Sequence, residues 1–353
     1  MTTAKLPRAQ SCLDNDILGS MTQVVVVIPV FNSVGTISRA IDAALSQNFD
    51  GQFEIVAVND GSTDDTSEVL KRYSGRIRVL DQQNRGPAAA RNAAVAQSSA
   101  EYIAFLDADD AFISDKLARS VPRLASNHNA VMLFHDAIAL DRDGHEVAHS
   151  YVWPERAHAP SMDEMLMKWW PIVPSTVLMR RSAFERCGGF CEEFKTPGYE
   201  DPDLWIRARE YGDFIYLPER LTFYTTNEMR AERMEKYMSS RDLFFRRLRQ
   251  LYGRRADELI RSTVRNYTNW LSYQGLLAMQ RRDPATARVY FARILRRQPT
   301  HLKSALRWLR TFLPAPVARA LSGRTAGTKL PVGLAGVSRA LIPTRDRRRT
   351  KLS

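Results

Sequence analysis

Tyr102-Ile103-Ala104-Phe105-Leu106-Asp107-Ala108-Asp109-Asp110 is an apolar run that ends in three carboxylates within four positions. A run that alternates so little reads as a strand buried on both faces, the kind a parallel sheet needs. Like charges crowded at the tip of such a strand are hard to keep ionised together. A hard divalent cation such as Mg²⁺ or Mn²⁺ relieves that crowding by taking carboxylate oxygens. A plainer reading also fits: a solvated turn entering a helix, whose first turn welcomes Asp.

On the N-terminal side the same grammar repeats. Val24-Val25-Val26-Val27-Ile28-Pro29-Val30 and Phe53-Glu54-Ile55-Val56-Ala57-Val58 read as buried strands, and Ile77-Arg78-Val79-Leu80 as a short third one. Helices are predicted between them at about 34–47, from Asp64 or Asp65 to about Tyr73, and over 87–98. Strand–helix alternation at this spacing predicts an α/β fold with a doubly wound, mostly parallel sheet flanked by helices. Ligands of such sheets bind at the carboxyl ends of the strands, where Asn59-Asp60-Gly61-Ser62 and Asp107-Ala108-Asp109-Asp110 fall. Further strands are expected near 131–140, 172–180 and 214–224, with a helix over 202–211. Beyond 230 the pattern is helical: Asp283-Pro284 is a cap followed by a first-turn Pro, and Pro299 separates the next helix. The stripe Ala287, Tyr290, Phe291, Ile294 suggests a single tetratricopeptide-like hairpin.

A chain of 353 residues with 44% hydrophobic content can bury one large core and a smaller appended unit. Its charge is unevenly placed. Residues 1–229 hold 22 Lys+Arg against 32 Asp+Glu, and residues 230–353 hold 29 against 7. The division drawn from this is a polar N-terminal tail (1–20), an α/β domain (21–230), a helical region (231–312) and a basic tail (313–353) expected to be disordered. The basic part suits anionic lipid headgroups or an anionic acceptor, and no recognisable nucleic-acid motif accompanies it. Cys12, Cys187 and Cys191 form neither a metal set nor a disulfide framework, which suits a reducing cytosol. With no signal-peptide pattern and no apolar stretch near the roughly 18–20 residues that span a bilayer, the expectation is a cytoplasmic chain, peripheral at the inner membrane face.

Four segments line up in order: Ile28-Pro29-Val30-Phe31-Asn32, Val58-Asn59-Asp60-Gly61-Ser62-Thr63-Asp64, Asn84-Arg85-Gly86-Pro87-Ala88-Ala89-Ala90-Arg91-Asn92, and Leu106-Asp107-Ala108-Asp109-Asp110. Together they resemble a family 2 glycosyltransferase of GT-A fold over residues 22–225, inverting and non-processive, since no Gln-x-x-Arg-Trp signature is present. The resemblance implies a nucleotide-sugar donor, expected to be UDP-linked, and Mn²⁺ or Mg²⁺ as cofactor. Pro29, Asn32, Asp60, Gly86, Arg91 and Asp107 would then line the donor: Asp60 accepting from uracil N3–H, Asp107 holding the ribose, and Asp109 ligating the metal. Simpler readings stand beside these, a Pro-initiated turn for Pro29 and Asn32 and a helix-surface arginine for Arg91. The third metal ligand is unassigned, Asn227 standing where relatives often carry His.

An inverting displacement also needs a base on the far face of the donor sugar. Tyr199-Glu200-Asp201-Pro202-Asp203 resembles the family's Glu-Asp motif, which makes Asp201 the base and Glu200 its positioning group; ordinary first-turn acids would look the same. Trp169, Trp170 and Trp205 are candidate stacking platforms for the acceptor, and equally good core residues. His135 reads as structural. The function expected is transfer of one sugar, of hexosyl or N-acetylhexosaminyl type, to a glycan or lipid-linked hydroxyl. The alternative is a catalytically silent nucleotide-sugar-binding scaffold whose basic helices bind a partner or a membrane.

Overall fold

The structure, a computed structural model, describes residues 22–313 except 153, 171, 227–230 and 281–282. Strands and helices alternate through β1 (Val24–Val30), α1 (Ile37–Leu45), β2 (Phe53–Asp60), α2 (Thr66–Lys71), β3 (Arg78–Gln82), α3 (Pro87–Ala96) and β4 (Tyr102–Phe105). These four strands pair in parallel in the order β3-β2-β1-β4, with Val24 of β1 opposite Phe53 on one side and Tyr102 on the other. Every residue of the Val24–Val27 run is buried, because α1 covers one face of β1 and α3 the other. Pro29 is tolerated inside β1 for a positional reason. Val27 accepts from Leu106 on the β4 side, so Pro29 faces the same way, past the point where β4 has ended, and its missing N–H breaks no ladder bond.

The second half is mixed. It runs through β5 (Ala111–Phe112), α4 (Lys116–Ala125), β6 (Ala130–Leu140), β7 (Glu146–Ala148), α5 (Met162–Met167), β8 (Val177–Arg180), α6 (Arg181–Arg186), α7 (Glu200–Ala208) and β9 (Asp213–Thr225). The sheet continues β4-β8-β6-β9-β5, where β6 and β9 are parallel while β4–β8, β6–β8 and β5–β9 are antiparallel. Parallel pairing therefore holds throughout β3-β2-β1-β4, and antiparallel strands extend that half to give a mixed sheet. The antiparallel return of β8 is what carries the chain from the sheet, through α6, to the carboxylates of α7.

Four helices follow: α8 (Ala231–Tyr252), α9 (Asp257–Gln280), α10 (Pro284–Arg297) and α11 (Leu302–Arg310). Phe244, Phe245 and Leu248 of α8, with Leu259 and Ile260 of α9, lie in the same apolar cluster as Phe105, Phe190 and Trp205. The change of charge near 230 is thus not a boundary in packing. A separate small core forms further on, from Leu271, Ala278, Ala287, Phe291 and Ile294. The expected cap is present, Asp283 accepting from the Thr286 amide at 3.0 Å, but three helices rather than a two-helix hairpin surround this core. Among the described residues no helix is long and apolar enough to cross a membrane. The two tails and Asn227 lie outside the described residues.

Candidate active site

Asp107 begins the loop after β4 and holds position through two contacts. Its amide donates to Ser175 Oγ at 3.0 Å, and its carboxylate accepts from Arg91 Nη2 at 2.7 Å. Arg91 comes from the inward face of α3 and is buried; through Nη1 it also donates to Glu200 at 3.2 Å and Asp201 at 3.3 Å. One guanidinium therefore ties the tip of β4 to the first turn of α7. Burial works against the charge of Arg91, but Asp107, Asp201 and Glu200 outweigh it and raise its pKa further. The surface-arginine reading of Arg91 fails on this geometry.

The two acids of α7 are placed differently. Glu200 is buried, its second oxygen accepting from the amides of Gly198 and Tyr199 at 2.6 and 3.1 Å. It braces the turn that enters α7, with one oxygen on two amides and the other on Arg91. Asp201 keeps a side chain 17% exposed. Burial, then the charge of Glu200 and that of Asp107, push its pKa well above the carboxylate range, with Arg91 opposing. Asp203 is enclosed between Arg207 and Arg247, at 2.7 Å from each.

The segment Asn84–Asn92 turns out to be a brace. Asp60 uses both carboxylate oxygens inside the protein, accepting from Gln82 Nε2, from the Arg85 amide and from the Gly86 amide at 2.7–2.8 Å. Gly86 has φ +91, and a Cβ there would stand 2.6 Å from the Lys195 carbonyl oxygen, so the close approach it permits is to the protein's own backbone. Arg85 pairs with Glu192 at 2.6 Å. Asn92 pairs with Phe190 as a strand would, donating to its carbonyl at 2.9 Å and accepting from its amide at 3.0 Å. The loop that leads into α7 is thereby fixed against α3. Asn32 sits at the end of β1 with φ 49, a left-handed conformation uncommon outside glycine, and accepts from the Thr63 amide at 2.8 Å.

Beneath the Asp107–Asp110 loop lies a polar layer that sequence reasoning did not find. Asp110 is buried, with Oδ1 accepting from the Thr225 amide at 2.8 Å and Oδ2 without a partner. Burial first, then Asp109 and Asp107, raise its pKa well above the usual value. Lys116 Nζ donates to the Ser175 carbonyl at 2.7 Å and lies 3.7 Å from the centre of the Phe112 ring; burial lowers its pKa strongly. The one available signal was period: Lys116 occupies the inward stripe of α4 with Leu117, Val121 and Leu124. Arg39 of α1 donates to the Asp109 carbonyl and, at 2.9 Å, to Thr225 Oγ1, joining the loop to the end of β9. His135 is structural as expected: buried, held neutral by burial and by Lys116, and donating from Nδ1 to the Asp136 carbonyl at 2.7 Å.

The aromatic candidates divide. Trp205 is in the core, its ring packed by Phe105 and Phe190 and its Nε1 donating to the Ile172 carbonyl at 3.1 Å, so no sugar can stack on it. Trp170 is also buried, under the Arg156 guanidinium at 4.8 Å and against the edge of His158. Trp169 is half-buried and meets the Tyr199 ring edge-on, 5.5 Å between centres, one residue from Glu200. Of the three it alone is not buried. The potential ligand group Asp141–Asp143–His145 is the exposed turn between β6 and β7, where Asp141 accepts from the amides of the other two at 2.9 Å.

The site's oxygens suit a hard cation. Asp107 and Asp109 stand half-buried at a strand tip, next to the unpartnered Oδ2 of Asp110, and an all-carboxylate donor set favours Mg²⁺ or Mn²⁺ over softer metals.

A polar strand-end loop and the paired acids of a following helix are thus joined by one arginine. Residues 25–188 match the profile of Glycosyl transferase family 2. An uncharacterized glycosyltransferase of Rickettsia bellii is 40% identical over 108 residues, which is 30% of this chain and 16% of that protein. The chondroitin synthase of Pasteurella multocida is 28% identical over 197 residues, 55% of this chain and 20% of that protein. In both cases the matched stretch is a fifth or less of the relative's own length. A crystal structure of S. aureus TarS superposes with a TM-score of 0.48 and 18% identity, over 82% of this chain and 55% of that one.

Proposed function

We propose that the protein is an inverting, metal-dependent glycosyltransferase that moves one sugar from a UDP-linked donor to the hydroxyl of a glycan or lipid-linked acceptor. One observation carries the reading: Arg91 holds Asp107 and Asp201 within 3.3 Å of its own nitrogens, so the strand-tip loop and the acid of α7 lie side by side, as a donor loop and a base would have to. A scaffold that only binds nucleotide has no use for a base held opposite the donor loop.

The base of the donor lies against the ends of β1 and β2, beside Asn32. Asp60 Oδ2, which the Gly86 amide occupies only once, has a lone pair left for the N3–H of uracil. Asp107 takes the ribose, and Asp109 would hold Mn²⁺ or Mg²⁺, which would supply neutralisation of charge on the departing pyrophosphate. Asp201 accepts the acceptor's hydroxyl proton as that oxygen bonds to the anomeric carbon and UDP leaves, and its raised pKa brings the carboxylate closer to the hydroxyl it must deprotonate. Glu200 and Arg91 set the direction of that carboxylate. Trp169 offers one face to the acceptor. The sugar is of hexosyl or N-acetylhexosaminyl type, in keeping with a relative named a chondroitin synthase.

The direct test is a panel of nucleotide sugars screened for thermal stabilisation with and without Mn²⁺, since a bound donor stabilises by mass action. A metal-dependent upward shift with a UDP-sugar is expected. Equal shifts for all nucleotides, or none with metal, would remove the donor assignment.

A further inference from the structure

Helix α11 is packed inside out. Its side against the protein is mostly polar: Ser304 is 0% exposed, Thr311 is buried and Arg307 donates to Ser272 Oγ of α9, with Trp308 the one large apolar residue that reaches the small helical core. Its solvent side is apolar: Leu302, Leu306 and Leu309 are 70%, 58% and 57% exposed. At about 100° per residue these three leucines fall within an arc of about 60°, opposite Ser304. Phe312 and Leu313 prolong the exposed stripe past the last turn. The leucine stripe faces water while Ser304, Thr311 and Trp308 face the protein, so the leucines themselves contribute little to the fold. It reads as a contact surface.

The chemistry around the stripe selects its partner. Lys303 and Arg310 follow one edge, and Arg288 of α10 crosses the other, 4.7 Å above the Phe312 ring. Residues 284–313 hold seven Lys+Arg and no Asp or Glu. A second copy meeting this face would bring like charge onto like charge. The chain's own residues 314–353, with nine Lys+Arg and one Asp, would do the same. We infer that the leucine face of α11 docks on an anionic lipid surface, lying in the interface with its leucines among the acyl chains and its cations among the headgroups. The inference is independent of the transferase reading, because vesicle binding needs neither donor nor metal.

The test is co-sedimentation of the full chain with phosphatidylcholine vesicles carrying about 30% phosphatidylglycerol, against pure phosphatidylcholine. Binding to the anionic vesicles is expected, part of it surviving about 0.5 M salt, where charge alone is screened. The double variant Leu306→Glu/Leu309→Glu should bind at least about tenfold more weakly, while Leu306→Phe/Leu309→Phe binds as the parent does. Both pairs are solvent-facing, so an unchanged melting temperature shows that the fold is retained. Three results would overturn the inference: parent-like binding by the Glu variant, a parent that ignores anionic vesicles, or a parent dimer that the Glu variant dissociates. Loss of binding on deleting 314–353, with the Glu variant binding normally, would do so as well.

Discussion

Arg91 is the residue on which the site depends, and its sign follows from its neighbours. Three carboxylates approach it within 3.3 Å in a place with little water, so removing the cation leaves them facing one another. Arg91→Gln should therefore lower stability by about 3–5 kcal/mol in urea unfolding, as loss of one partner from a buried ion cluster does; a change below about 1 kcal/mol would show the cluster to be solvated. Asp201 gives a pH prediction. A base acts unprotonated, and burial with the Glu200 charge raises its pKa above the ordinary 3.8, so activity must fail at a higher pH on the acid side than for a free carboxylate. The acid limb of kcat/KM reports this, and a limb at or below the ordinary value would contradict it. At this scale the sequence showed which residues matter and not what they touch. Asp60 and Gly86 stood out in the motif, yet their visible partners are Arg85, Gln82 and Lys195, and contacts over such separations leave no local pattern.

At the level of elements, α7 is positioned from both sides. Asn92 and Gly86 of the α3 segment fix the loop before it. From behind, Arg247 of α8 donates to both oxygens of Asp203 at 2.7 and 3.2 Å, and the Phe244 ring stacks on Tyr199 at 5.2 Å. Arg247→Met should accordingly lower kcat while leaving the donor KM nearly unchanged, because Arg207 still neutralises Asp203 and the donor loop is untouched. Steady-state kinetics decide this, and an increase in donor KM with kcat intact would place Arg247 elsewhere in the mechanism. A second element contact is local to the helices. Gly275 of α9 faces Phe291, whose ring would stand 2.6 Å from an added Cβ, so Gly275→Ala should cost about 1–3 kcal/mol of stability through overpacking, read as a lower melting temperature. The parallel half of the sheet was legible because runs such as Val24–Val27 need no pairing information to be recognised. The antiparallel return of β8 was not, since Val177–Arg180 is only four residues long and its partners lie far away in sequence.

For the whole molecule, the charge map and the packing map differ. Net charge changes sign near 230, but α8 and the start of α9 complete the core under Phe190 and Trp205. A fragment ending at 230 should therefore lack a cooperative melting transition, whereas one ending near 265 should keep it; circular dichroism on the two separates packing from charge as the domain boundary. The sequence signalled the charge change because composition is additive along the chain. It concealed the shared core because Phe244 and Leu248 reveal their partners only in three dimensions.

The central claim is that donor loop and base are separate functions on one cleft, and paired substitutions measure it most directly. With Mn²⁺ and a UDP-sugar, Asp109→Asn should lose most of the metal-dependent donor affinity, while Asp201→Asn keeps donor affinity near the parent's and loses about two orders of magnitude or more in kcat. An Asp201→Asn enzyme that turns over like the parent, or an Asp109→Asn protein whose donor affinity still responds fully to the metal, would contradict the account.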